Sequence, residues 1–129
     1  MRVRLDEGLL LLRVGMGFMF ISHGLPKLLG GPDRWEALGQ TMAHFGLNFA
    51  PTLWGLAAAI SETVGGLLFA LGLLFRPATA LLLTTMVVAS ARHLQSGDGF
   101  AKASHAIEAA IVFASLLLIG PGAYRFGKR

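Results

Sequence analysis

Four long apolar runs, separated by short polar stretches, set the pattern of the chain. They cover about residues 8–29, 53–74, 78–94 and 103–119. A bilayer core about 30 Å thick is crossed by roughly 20 helical residues, and the two shorter runs, of about 17 residues, are at the lower end of the spanning range. Backbone polar groups in lipid must be satisfied within their own segment, so each run is predicted to be helical. The pattern therefore predicts an all-α membrane protein, a bundle of four transmembrane helices.

The polar stretch between the first two runs predicts a short additional helix over about residues 33–46. Asp33, followed three residues later by Glu36, resembles a capping box, and Gly46 is a residue at which such a helix can end. Apolar positions recur at helical spacing: Trp35, Leu38, Met42 and Phe45. Because this helix is too short and too polar to cross, we expect it in the outer interface. It is either a plain cover on the bundle or a lid that controls access to a site beneath it.

Composition agrees with one membrane domain over residues 1–129. Apolar residues make up 54% of the chain, charged residues only 14%, and the mean hydropathy is +0.65. A typical soluble domain carries about 25% charged residues. The chain has no cysteine, which excludes disulfides and thiolate metal sites. Its start mimics a signal peptide, but Arg13 interrupts the apolar core, so the segment is expected to remain as the first helix.

The basic residues lie at the ends of the apolar runs. Net charge is +4, yet this placement argues against a nucleic-acid partner, since phosphate binding needs a basic patch or stripe. Four crossings would put six basic residues on one side, namely Arg2, Arg4, Arg76, Arg125, Lys128 and Arg129. The other side would hold four: Lys27, Arg34, Arg92 and Lys102. Positive charge favours the cytoplasmic side, so both termini are predicted to be cytoplasmic.

One acid, Glu62, lies near the middle of the second apolar run. A charge at that depth is costly unless it faces protein, so companions on the other helices are expected to shelter it. The candidate residues for a polar pocket in the outer half of the bundle are Glu62, His23, His105, Glu108, Arg92, Lys27 and Arg13. The same residues could instead form a packing network, in which Glu62 or Glu108 pairs with a cation and Arg92 and Lys27 extend to the interface. Both readings stay open on the sequence alone.

The spacing of the histidines does not favour a metal or haem site. No pair has the His-x-x-x-His spacing that brings two imidazoles to one helical face. Ser104, His105 and Glu108 are too close in sequence to converge as a nucleophilic triad. The sequence therefore assigns no catalytic residue, no metal site and no certain enzymatic activity.

Three stretches resemble the DoxX family of small membrane proteins. The first runs Arg13-x-x-x-Gly17-x-x-Phe20-x-x-His23-Gly24-x-x-Lys27-Leu28. The second runs Glu62-x-x-Gly65-Gly66-x-Leu68 into Gly72-Leu73-x-x-Arg76, and the third is Glu108 followed by Gly120-Pro121-Gly122. The final Ala123-Tyr124-Arg125-Phe126 departs from relatives that end in serine and an acid. The resemblance implies a four-helix, multi-pass protein of the bacterial inner membrane that is linked to respiratory and redox chemistry.

Three functions follow as hypotheses. The first is a quinone- or small-ligand-binding protein; if it is an enzyme, it is the membrane subunit of a quinone-linked oxidoreductase. In this hypothesis His105 or His23 donates a hydrogen bond to the ligand and Arg92 polarises it, while Glu62 or Glu108 exchanges protons. The second is a non-enzymatic anchor or assembly subunit of a redox complex, and the third a small proton-coupled transporter. The expected partners are the lipid bilayer, a soluble or membrane redox protein, and a second copy in a homodimer.

Overall fold

The computed structural model describes residues 4–127, and within them the chain is helical without strands. Arg2, Lys128 and Arg129, which entered the charge count, lie outside the described residues. A short 3-10 helix, Gln40–Phe45, continues the second helix. The helices are α1 (Leu5–Leu29), α2 (Pro32–Gly39), α3 (Pro51–Leu71), α4 (Phe75–Gln95) and α5 (Phe100–Ile119).

Three of these helices, α1, α3 and α5, are long and apolar enough to cross a membrane. Many large apolar side chains point away from the protein, among them Phe18 at 66% exposure and Leu118 at 85%. The fourth long helix, α4, has 21 residues but is more polar, since it carries an arginine near each end and several threonines. The sequence predicted four transmembrane helices. Among the described residues, three helices are long and apolar enough to be candidate spans.

The boundary between α3 and α4 is earlier than the sequence predicted. The second apolar run was predicted to continue to residue 74, but α3 ends at Leu71 because Gly72 adopts a left-handed conformation, with φ of 71°. The amide of Leu73 then donates to the carbonyl of Leu68 at 3.0 Å, which closes the helix end. Pro77 lies in the first turn of α4, where a missing backbone N–H costs nothing.

The capping box predicted for α2 is wrong. Gly31 precedes the helix, Pro32 opens it, and no side chain caps it, so Asp33 and Glu36 lie inside the first turns. Proline at the first helical position explains the shift, since its fixed φ is already helical. At the other end Gly46 stops the 3-10 helix with φ of 78°, as the sequence predicted.

Glycines on α1 let it pack closely against α3. The buried face of α1 consists of Leu9, Arg13, Gly17, Phe20 and Gly24. A Cβ added at Gly17 would lie 2.6 Å from the Cβ of Ala70, and one at Gly24 would lie 2.7 Å from the Cβ of Glu62. Small residues therefore bring the two backbones together where the buried acid lies.

An aromatic cluster fills the middle of the bundle. Phe113 of α5 meets Phe20 of α1 edge-on, with ring centroids 5.0 Å apart, and Phe69 of α3 in the same manner at 5.3 Å. Phe75 stacks on Phe69 at 5.4 Å. These contacts, with rings at favourable edge and offset geometries, form a floor beneath the outer half of the bundle.

Candidate functional site

The buried acid lies in an irregular turn of α3. Residues Ser61–Gly65 form a π-helical turn, which adds one residue to the helical repeat. The carbonyl of Ala59 accepts a hydrogen bond from the Thr63 hydroxyl at 2.7 Å, and the Ser61 hydroxyl lies 3.1 Å from that of Thr85 on α4. The turn buries Ser61 and Glu62 together, at 6% and 4% exposure. Single π-turns inside helices occur frequently at functional sites.

Glu62 receives its charge partner from α1. The Lys27 ammonium donates to both carboxylate oxygens, at 3.1 Å and 3.0 Å. The Lys27 side chain is 26% exposed and that of Glu62 is 5% exposed, so the pair is largely removed from water. Trp35 of α2 fixes the end of α1 by donating its indole N–H to the Lys27 carbonyl at 3.1 Å. Helix α2 is thus attached directly beside the ion pair.

A cavity of about 300 Å³ lies above this pair, between α1, α4 and α5. Its apolar walls are Met19, Phe20, Met86, Ala89, Ala106 and Ala109. Its polar side chains are His23, Lys27, Glu62, Arg92, His93, Lys102 and His105. A mostly apolar cavity with a few convergent polar groups is typical of small-molecule sites, and this volume is at the lower end of their range.

The cavity opens between α1 and α5. Along their length the two helix backbones approach each other little, in contrast to the close α4–α5 and α1–α3 packing. Phe20 and Phe113 close the gap at mid-height, and above them His23 and His105 are exposed on opposite helices. These two histidines therefore border the lateral opening of the cavity on its two sides.

A second cavity of about 100 Å³ lies on the other side of the ion pair. It is bordered by Leu38 of α2, by Met42 of the 3-10 helix and by Trp54 of α3. The indole nitrogen of Trp54 is buried without a hydrogen-bond partner among the described residues. Since Lys27, Glu62 and Arg92 border both cavities, the ion pair separates the two chambers.

The structure brings five of the sequence-predicted residues together around the larger cavity: Glu62, His23, His105, Arg92 and Lys27. It places Glu108 elsewhere, exposed on α5 and outside the cavity. It places Arg13 at the opposite end of the bundle, 1% exposed. There the guanidinium donates to the carbonyl of Pro121 at 2.7 Å and to that of Tyr124, tying the C-terminal segment to α1.

Lys102 is a cavity residue that the sequence argument missed. It was counted only as an outer charge, although it precedes His105 by three residues and so shares its side of α5. His93, also at the cavity, is held by Asp98 of the α4–α5 loop, with 2.9 Å between the ring Nδ1 and the carboxylate. This hydrogen bond, with help from Lys102 and Arg92, lowers the pKa of Asp98. The loop carboxylate thus pairs with a histidine at the outer end of α4.

The charges around the cavity favour a ligand with oxygen acceptors. Arg92 and Lys102 form no salt bridge within the described part of the chain, while the single carboxylate, Glu62, is already paired. Histidine, arginine and lysine side chains offer hydrogen-bond donors to a carbonyl or an oxyanion. No three histidine or acidic side chains converge in metal-binding geometry in residues 4–127.

Comparison with known proteins gives one match. The DoxX family model matches residues 8–95, which include α1 to α4 with Lys27, Glu62 and Arg92. No curated protein and no solved structure matches the chain. The matched stretch covers more than half of the sequence and confirms the family; it includes the first two of the three motifs that carry the resemblance, while the third, at residues 108–122, lies beyond it. With its apolar helices, the chain is a multi-pass membrane protein that belongs to the DoxX family.

Proposed function

We propose that the chain crosses the bacterial inner membrane four times, with both termini in the cytoplasm. Supporting this, α4 has 21 residues, or about 30 Å of helix, enough to match its neighbours. Its first turn carries Arg76, which shares an inner-end cavity with Arg125, and its last turn carries Arg92 at the outer cavity. The charge bias of the whole sequence then favours the Arg76 end as the cytoplasmic one.

We further propose that the protein binds a quinone, or a small ligand of similar shape, in the cavity between α1, α4 and α5. The observation that carries this proposal is the convergence of three histidines, Arg92 and the Lys27–Glu62 pair on one apolar cavity with a lateral opening. A quinone needs access from lipid, an apolar slot for its ring and donors for its two carbonyl oxygens. Met19, Met86 and Ala109 provide the slot.

The side chains at the cavity would have separate roles in hydrogen bonding and in proton transfer. Arg92 and His105, near the outer end, would donate hydrogen bonds to one carbonyl oxygen, and Lys27 would donate to the other. Glu62, bonded to Lys27 and next to both chambers, would accept a proton from the ligand or return one to it. A redox partner would exchange the electrons, while this chain holds the ligand and handles protons.

Filling the cavity tests this proposal. Ala109→Leu adds a side chain that occupies the slot, so we expect binding of decylubiquinone to weaken about tenfold or more while thermal stability is kept. Ala114→Leu, on the exposed side of the same helix, is the matched control and should bind like wild type. Binding can be followed by quenching of tryptophan fluorescence, since Trp54 borders the neighbouring chamber. Equal, saturable quenching in both variants would contradict the proposed site.

A proton-coupled transporter is the second candidate, and one observation favours it. The Lys27–Glu62 pair separates two chambers, so breaking the pair by protonation of Glu62 would join them. The quinone proposal predicts saturable binding without transport, whereas a transporter would acidify or alkalise vesicles in a substrate-dependent way. The third candidate, an anchor or assembly subunit for a redox complex, requires no ligand in either chamber.

A further inference from the structure

Glu108 is an ionisable residue left exposed in the middle of an apolar helix. It lies eight residues into α5, a candidate membrane span, and about 12 Å from the helix start. Its carboxylate forms no salt bridge and no side-chain hydrogen bond with any residue between positions 4 and 127. An acid at that depth is expected to face protein or water rather than acyl chains. Something outside this chain therefore covers it.

The helix face around Glu108 is shaped for close approach. Ala101, Ser104 and Ser115 flank it at helical spacing and are small, and Ile111, which is 61% exposed, adds one apolar side chain a turn later. The Ser104 hydroxyl donates to the Ala101 carbonyl at 2.7 Å and the Ser115 hydroxyl to the Ile111 carbonyl at 2.8 Å. Because these hydroxyls are satisfied within the helix, the face presents small and apolar surfaces to a neighbouring helix, and its open polar groups among the described residues are Glu108 and His105.

A hydrogen-bond donor that can satisfy Glu108 is present on the same helix. His105 lies one turn earlier, is exposed, and also forms no hydrogen bond with the described residues. Copies of one chain insert with the same orientation, so a twofold axis along the membrane normal would set two α5 helices side by side and parallel. Glu108 of each copy would then lie beside His105 of the other, a self-complementary contact.

We infer that the protein forms a homodimer through this face of α5, with the acid of each copy paired to the histidine of the other. The contact reaches the larger cavity, since His105 borders that cavity. The partner's Glu108 would fix the orientation of this imidazole at the lateral opening. Each ligand site would thus be completed by a residue of the second copy, whatever the ligand is.

Cysteine cross-linking tests the interface, because the natural chain has no cysteine. Ser115→Cys in native membranes is expected to give, on oxidation, a disulfide-linked product of twice the 13.7 kDa chain mass. Ser22→Cys is the matched control, since Ser22 is also an exposed serine bonded to the carbonyl four residues earlier, but on α1. Equal cross-linking of both variants, or a Ser115→Cys product with a different protein, would overturn the proposal.

Charge exchange tests the pairing itself. In the Ser115→Cys background, Glu108→Lys should lower the cross-linked fraction about tenfold, and adding His105→Glu should restore it. If Glu108→Lys does not accumulate in the membrane, Glu108→Gln serves instead and should also lower the fraction. If none of these changes alters the cross-linked fraction, the proposed Glu108–His105 contact would be overturned.

Discussion

Replacement of Lys27 by methionine is expected to lower the free energy of unfolding by about 3–5 kcal/mol, the range for removing one partner of a buried ion pair. Methionine keeps the length of the side chain but leaves the Glu62 carboxylate, 5% exposed, without its partner. The π-turn that holds this carboxylate is packed against α1, so it cannot turn the group out to water without disturbing both helices. Reversible unfolding in detergent and denaturant measures the change.

The control is the double variant Lys27→Met with Glu62→Leu. Two apolar side chains of similar volume replace a pair whose desolvation is costly, so this variant should lie within about 1 kcal/mol of wild type. If the double variant loses as much stability as Lys27→Met and Glu62→Leu lose in sum, the two charges would have no interaction free energy. The ion pair would then have no role in holding α1 against α3.

Gly24→Ala is expected to have the second large effect, about 3 kcal/mol of lost stability, because small-to-large changes in a tight contact displace the neighbours. The new Cβ would lie 2.6 Å from the Thr63 hydroxyl and 2.8 Å from the Thr63 backbone nitrogen. The backbone of Thr63 cannot change rotamer as a side chain could, so α1 would move away from the π-turn, and Lys27 would move with it. Quinone binding should weaken together with stability.

Gly15→Ala on the same helix is the matched control. Gly15 is exposed and a Cβ there would have no neighbour within 4 Å. Alanine in place of an open helical glycine stabilises by about 0.5–1 kcal/mol. If both variants lose the same stability in the same assay, the close approach of α1 to α3 at Gly24 would be contradicted.

The outline of the site could be read from the sequence because its signals are local. Gly17 and Gly24 recur at seven residues and so share a face, and a lone acid such as Glu62 inside an apolar run has to point at protein. The sequence could not show which cation pairs with that acid, since Arg13, Arg92 and Lys27 were all candidates. The distance between side chains on different helices depends on helix rotation and offset, which no local pattern contains.

Helix rotation also explains where Glu108 lies. His105 and Glu108 are three residues apart, so the sequence placed both on one side of α5. On α5, however, the cavity is bordered by Lys102, His105 and Ala109. Around the helix axis these three residues face a direction to one side of Glu108. Arg13 likewise had no local signal for its role, because its acceptors at Pro121 and Tyr124 are 108 and 111 residues away. The π-turn at Ser61–Gly65 has no sequence signature of its own.

Photolabelling with an azidoquinone in native membranes, followed by peptide mass spectrometry, examines the cavity most directly. Adducts are expected on the segments that border it, residues 19–27, 86–93 and 102–109. They should decrease when unlabelled decylubiquinone is added and should be lost in Ala109→Leu. Adducts that instead follow lipid exposure, at Phe18, Leu81 or Leu118, and that unlabelled quinone does not reduce, would contradict a quinone site between α1, α4 and α5.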